Sequence, residues 1–228
     1  MKKYKFTEKT INVDGRTLYR IEALKDFNDV KKGDKGGFIE DEKNLSQSDD
    51  CWIYGNAKVF GNVQVYCNAL VIDNARVYGN TKVYHNAAVC GNTRIYGNAI
   101  VHGDAVVCGD AVVYDNAKVY GNARIYGNAE ICGDAVITSN SDYIVFKNWW
   151  SSGRYFTWTK GNDMWKVGCF YGTGEQLIEK AYKDSELSGK EYKKVVVYVN
   201  SIKDNKYNHV RKNIKERLLS KMRKLFGK

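Results

Sequence analysis

The chain has 228 residues, 43% of them hydrophobic, no proline, and a formal charge of +10. That is enough apolar material for a sizeable core, and the lack of proline suits stacked strands, whose ladders a missing N–H would interrupt. No apolar run reaches membrane-spanning length and none follows the charged residues of Met1 to Glu8, so neither a membrane span nor a signal peptide is expected and a cytoplasmic location is the default.

The charge is unevenly spread. Residues 1–50 hold 11 basic and 11 acidic groups, 51–139 hold 6 and 6, 140–200 hold 9 and 7, and 201–228 hold 10 and 2. Steering of an acidic partner therefore belongs to the C-terminal tail. Six cysteines are scattered without a CxxC pair and read as reduced, space-filling residues. With only three histidines as well, no metal site and no cofactor is expected.

In chain order, Tyr4 to Val13 and Arg16 to Leu24 flank Asp14-Gly15, the pair a tight primed turn needs, and predict a hairpin. Lys25 to Asp50 is polar and punctuated by glycine, with one apolar patch at Phe38-Ile39. Residues 1–50 are expected to form a cap, because the raw end of a stack of strands must be covered.

From Ile53 to Ile137 an aliphatic residue returns at every sixth position, fifteen times without a break. Six is a multiple of two, so each falls on the same side of a short strand, and a fixed short period marks a solenoid. Four positions after each aliphatic stands a small residue, usually Ala. Between them lie Gly-Asn, Gly-Asp or Asp-Asn pairs that tolerate positive φ and turn corners. The unit, as in Val119-Tyr120-Gly121-Asn122-Ala123-Arg124, resembles the hexapeptide repeat of left-handed parallel β-helices, in which three hexapeptides make an 18-residue triangular coil. The resemblance implies a mainly β fold with about five coils over residues 51–139.

With that period, the residues flanking each aliphatic position line three outward faces. The first presents Trp52 and Tyr54, Leu70 and Ile72, Ala88 and Cys90, Val106 and Cys108, then Arg124 and Tyr126; its middle rungs carry no polar side chain and need cover. Proteins with this repeat are commonly trimers, so the resemblance implies a homotrimer; fold-back of the chain's own termini is the other available cover. The second face sets Lys58, Arg76 and Arg94 beside Phe60, Tyr78, Tyr96 and Tyr114. These read either as ladders of like residues or as a strip where cations hold phosphates and rings stack bases. The third presents Gln64 and Tyr66, Lys82 and Tyr84, Ile100 and His102, Lys118 and Tyr120, Val136 and Thr138.

The period ends at Ser139 to Asp142. Residues 140–207 are expected to form a small aromatic-rich α+β domain: a hairpin from Tyr155 to Thr159 and Met164 to Phe170, then two helices opened by capping boxes at Thr173 and Ser188. Arg154 and Trp158 could belong to a ligand platform, and Thr173-Gly174 could present N–H groups to an anion, although both are also expected in ordinary packing and capping. Residues 208–228 read as a basic helix with a broad apolar half, suited to packing on the protein or to contact with nucleic acid or a host protein.

Beyond the repeat, Lys32 to Glu40, Asn44 to Gln47, Phe146 to Trp150 and Gly172 to Glu175 resemble uncharacterised hexapeptide-repeat proteins of phage and prophage genomes. That resemblance transfers no active site. The leading expectation is a non-enzymatic, trimeric phage-type protein that sequesters an anionic nucleotide-like ligand, with a possible anti-defence role. The ligand contacts would be Lys58, Arg76, Tyr78, Arg94, Tyr96, Arg154, Trp158, Thr173 and Gly174. A hexapeptide-repeat acyltransferase is the alternative, with His102 as the weak candidate base. Such enzymes commonly carry a loop between coils, and here nothing interrupts the repeat. A second alternative is a nucleic-acid or host-protein binder acting through the tail.

Overall fold

The computed structural model of the protein describes residues 2–203, which divide into two compact units, 2–149 with 153–171 and 150–152 with 172–203. The tail at 208–228 lies outside the described residues.

The first unit is built on a parallel β-solenoid. Each aliphatic position of the repeat ends a two-residue strand, from Trp52–Ile53 to Val136–Ile137, and strands 18 residues apart pair in parallel register, as in Lys58↔Arg76 and Arg94↔Val112. The three faces are thus three ladders. Every repeat aliphatic is fully or almost fully buried, and the alanines four positions on fill the corners beside them. Two of those small positions hold threonine. Thr81 and Thr93 are buried, but their hydroxyls donate to Tyr78 O at 2.8 Å and Cys90 O at 2.6 Å, so neither strands a polar group in the core.

The corners follow from the turn residues. Most are glycines with φ between +61° and +81°, and four non-glycine residues take the same left-handed conformation: Cys67, Asp73, His85 and Asp115. The two aspartates offset the strain by reaching to the next coil, where Asp73 Oδ2 accepts from Gly91 N at 2.9 Å and Asp115 Oδ2 from Gly133 N at 3.1 Å. Asparagines after the corners form ladders in one direction, each side-chain amide donating to the next coil, from Asn62 through Asn80, Asn98 and Asn116 to Asp134.

The cap is a hairpin as expected, β1 (Tyr4–Val13) and β2 (Arg16–Ala23), turning at Asp14 and Gly15, both at positive φ. A third strand, β3 (Lys35–Ile39), pairs antiparallel with β2 and parallel with Lys58–Val59, so the cap joins the second face in one eight-stranded sheet. Ile39 pairs with Val59 and Leu45 bridges to Val65. The apolar patch at Phe38-Ile39 is therefore a rung. An irregular first coil stands below the five regular ones and brings the solenoid to about six turns.

The reading of all six cysteines as reduced fillers is corrected at one pair. Cys90 and Cys108, 18 residues apart, sit one above the other with Cα atoms 4.7 Å apart and are joined as a disulfide. Their separation equals one coil, which outweighs the absence of a CxxC pair.

Beyond the last coil lies an antiparallel sheet of β4 (Tyr143–Lys147), β5 (Tyr155–Thr159), β6 (Met164–Val167) and β7 (Phe170–Gly172). The expected hairpin is its middle pair, with Trp158 opposite Trp165. Glu130 N donates to Thr157 Oγ1 at 3.0 Å, which ties this sheet to the second face of the solenoid.

The second unit holds α1 (Gly174–Asp184) and α2 (Glu186–Lys203). α2 starts one turn earlier than its expected cap at Ser188. Ser185 Oγ accepts from Ser188 N at 3.1 Å, which places Ser188 inside the helix. No described helix is long and apolar enough to cross a membrane.

Candidate anion-binding site

The coil period puts Lys58, Arg76 and Arg94 in successive register on the second face. Like charges about one rung apart, ~4.8 Å, repel, and each cation is accommodated differently. Lys58 turns back and donates to Asn56 O at 2.9 Å; burial and the neighbouring Arg76 push its pKa down. Arg76 Nη2 donates to Asp14 Oδ2 at the hairpin turn, at 2.8 Å. Arg94 is exposed, and among the described residues its side chain has neither an ion pair nor a hydrogen bond.

The rings beside them form a closed stack. Phe60, Tyr78, Tyr96 and Tyr114 lie with centroids 5.2, 5.0 and 4.9 Å apart and planes within 12° of parallel. Each ring covers the face of the next. Leu18 and Phe38 pack around Phe60 at one end, and Lys166 Nζ stands 6.0 Å from the Tyr114 centroid at the other. The expectation that bases stack on Tyr78 and Tyr96 is thereby corrected: only ring edges and hydroxyls face outward. Burial pushes the pKa of both phenols up.

The same face continues through Val112 to Glu130. Here Arg94 borders a cavity of about 450 Å³ whose walls include Asp110, Asn128 and Glu130 from the solenoid and Arg154, Tyr155 and Gly168 from the C-terminal sheet region. Gly168 has φ +55°, and a Cβ there would fall 2.3 Å from Arg154 Nη1, so its bare backbone leaves the space the guanidinium occupies. Behind the wall, Lys166 is largely buried, with Nζ 3.8 Å from Glu130 Oε2 and a hydrogen bond to Gly168 O. Two guanidiniums thus share one cavity with two carboxylates, and a lysine partly offsets Glu130. Such a site can hold an anion and accept hydrogen bonds from the anion's own hydroxyl or amino groups.

The remaining candidates lie elsewhere. Trp158 is 2% exposed and its Nε1 donates to Asp163 Oδ1 at 2.8 Å; its ring is core, which corrects its place among ligand contacts. Thr173, in the other unit, caps α1: its N donates to Gln176 Oε1 at 2.9 Å and its Oγ1 accepts from Gln176 N at 3.3 Å. Thr173 is thus engaged in the capping box, the ordinary capping role that was the other expectation for Thr173 and Gly174.

His102 lies on the third face between Tyr84 and Tyr120, with centroids 4.7 and 4.8 Å away and nearly parallel planes; His85 meets it edge-on at 5.9 Å. Burial, and then the charge of His85, lowers its pKa. Among the described residues no carboxylate bonds its ring, so the orienting partner a catalytic base needs is not in place. Among the described residues there is also no group of three or more His, Cys, Asp or Glu able to hold a metal ion.

On the first face, Trp52 is covered by Tyr4 and Phe27 at centroid distances of 6.2 and 5.3 Å. At the far end Tyr143 OH donates to Arg124 O at 2.8 Å. Between them Leu70, Ile72, Ala88, Cys90, Val106 and Cys108 stay partly exposed.

Two stretches of the regular coils, residues 93–109 and 117–133, match the YdcK beta solenoid repeat family. With the fold, this identifies the chain as a β-solenoid repeat protein. No curated protein matches it.

Proposed function

We propose that the protein is a non-enzymatic binding protein that holds an anionic, nucleotide-like small molecule in the cavity between Arg94 and Arg154. The observation carrying this is the convergence of an unpaired surface arginine of the solenoid and an arginine of the C-terminal sheet region on one cavity of about 450 Å³, a volume within the usual range for small-ligand sites. A phosphate would take the guanidiniums, and sugar hydroxyls or an exocyclic amine would donate to Glu130 and Asp110. Tyr155, 41% exposed on the rim with Lys147 Nζ 5.7 Å from its ring centroid, would supply the aromatic contact that the closed Tyr78–Tyr96 stack does not. Sequestration of a host signalling nucleotide by a phage-type protein is the biological setting this chemistry suits. The partly exposed apolar rungs of the first face support assembly with further copies, a trimer in the version the hexapeptide resemblance implies.

Titration calorimetry against a panel of mono-, di- and cyclic nucleotides tests the reading. Arg94→Ala should weaken binding about tenfold or more, the usual loss for a charge-assisted contact. No heat with any member of the panel would remove it. Acetyl-CoA binding that is lost in His102→Ala would favour an acyltransferase instead.

A further inference from the structure

Lys3 opens the hairpin and Cys51 immediately precedes the first regular rung, and the two meet where the cap closes the solenoid. Both side chains are fully buried. A buried ammonium is costly unless all its donors are met. Lys3 Nζ has Asp49 O 2.5 Å away and Cys51 O 2.9 Å away, enough for the two donors of a neutral amine, and Cys51 Sγ 3.5 Å away in the remaining direction, with the Phe27 ring centroid at 5.3 Å. Among the described residues no carboxylate forms a salt bridge with it. Cys51 Sγ otherwise faces Val65 O at 3.4 Å and Ser46 O at 3.9 Å. A lysine nitrogen and a cysteine sulfur are thus held in contact by carbonyls on both sides, away from bulk water.

We propose that this pair is a modification site at which a hydroperoxide installs a covalent cross-link, one oxygen atom bridging Lys3 Nζ and Cys51 Sγ. Contact geometry carries it: burial pushes the Lys3 pKa down, which makes its neutral form easier to reach, and pushes the Cys51 pKa up, so the thiol becomes nucleophilic only by handing its proton to the amine beside it. In the first step the amine takes the thiol proton as Sγ attacks hydrogen peroxide. The S–O bond forms, the O–O bond breaks, and the departing hydroxide recovers the proton as water, leaving a sulfenic acid. In the second step the N–O bond forms as the sulfenic acid O–H and one amine N–H are lost. Those two protons and two electrons reduce a second peroxide to two waters. Thiol, amine and two peroxides thus give the N–O–S bridge and three waters. Because Lys3 sits in the cap and Cys51 in the coil it covers, the bridge locks the cap onto the solenoid.

The test treats the full-length protein with hydrogen peroxide and maps its peptides by mass spectrometry. The expected product is a linked pair of peptides carrying Lys3 and Cys51, heavier than their sum by about 14 Da, one oxygen gained and two hydrogens lost. Dithiothreitol should release both unmodified peptides, and both Cys51→Ser and Lys3→Arg should abolish the linked pair. Oxygen added to Cys51 alone with Lys3 free would overturn the proposal, as would an unchanged pair after other cysteines and methionines have been oxidised. These readings come from the wild-type protein, so they hold even if a variant fails to fold.

Discussion

Corner glycines offer a direct test of how the coils are held at their spacing. Gly91 and Gly127 both have left-handed φ, +72° and +65°, yet their surroundings differ. A Cβ on Gly91 would stand 2.7 Å from Gly109 O and 2.9 Å from Gly109 N, whereas one on Gly127 would meet nothing within 4 Å. Alanine pays about 1–2 kcal/mol for the left-handed conformation at either site, part of it recovered because alanine has less freedom to lose on folding. Gly127→Ala should therefore cost about 1 kcal/mol. At Gly91 the clash is backbone against backbone and no rotamer relieves it. The coils must part, stretching the bonds from Cys90 N to Val107 O at 2.9 Å and from Asn92 N to Gly109 O at 2.8 Å. At about 1 kcal/mol for each of these, Gly91→Ala should cost about 3 kcal/mol. Urea unfolding followed by circular dichroism measures both, provided the slope with denaturant is unchanged. Equal costs within about 0.5 kcal/mol would refute the idea that direct stacking of backbone corners selects glycine.

Three further outcomes are expected. Asn98→Ala breaks two ladder bonds, from Asn80 at 3.1 Å and to Asn116 at 3.0 Å, and should cost about 1 kcal/mol because these amides are solvent-exposed; no loss would make the ladder decorative. His102 has its folded pKa below the ordinary 6.5, so as pH falls the unfolded chain takes the proton first. Its contribution to stability is complete above that value and is lost as pH falls from there through the folded pKa. His102→Phe, which keeps the stack, should flatten the corresponding drop in thermal midpoint. The Asp14–Arg76 pair is exposed on both sides, 67% and 36%, so a double-mutant cycle should give a coupling below about 1 kcal/mol that fades with added salt; a larger, salt-insensitive value would contradict that.

The solenoid was legible because burial of one aliphatic in six is imposed by the strand itself, and the same count fixed which residues share a face. The 18-residue step between Cys90 and Cys108 stated their stacking as plainly as it stated that of Arg76 and Arg94. The irregular first coil was hidden, since Ile39 pairs with Val59 and Leu45 with Val65 twenty positions on, off the period. Side-chain partners were the harder part. Nothing local assigns Asp14 to Arg76, and a list of outward rings does not say that Tyr78 and Tyr96 cover each other's faces. Arg94 and Arg154 were each visible as cations, but only the packing of the C-terminal sheet region on the last coils brings them to one cavity. Glu130 and Lys166, which complete its charge pattern, carried no signal beyond Glu130's place two coils above Arg94.

Native mass spectrometry of the protein purified from cells, recorded gently and again after denaturation, tests the binding claim most directly. The wild-type protein should carry a small excess mass that disappears on denaturation and is absent from Arg94→Glu. A bare wild-type protein that also gains no mass when nucleotides are added would contradict it.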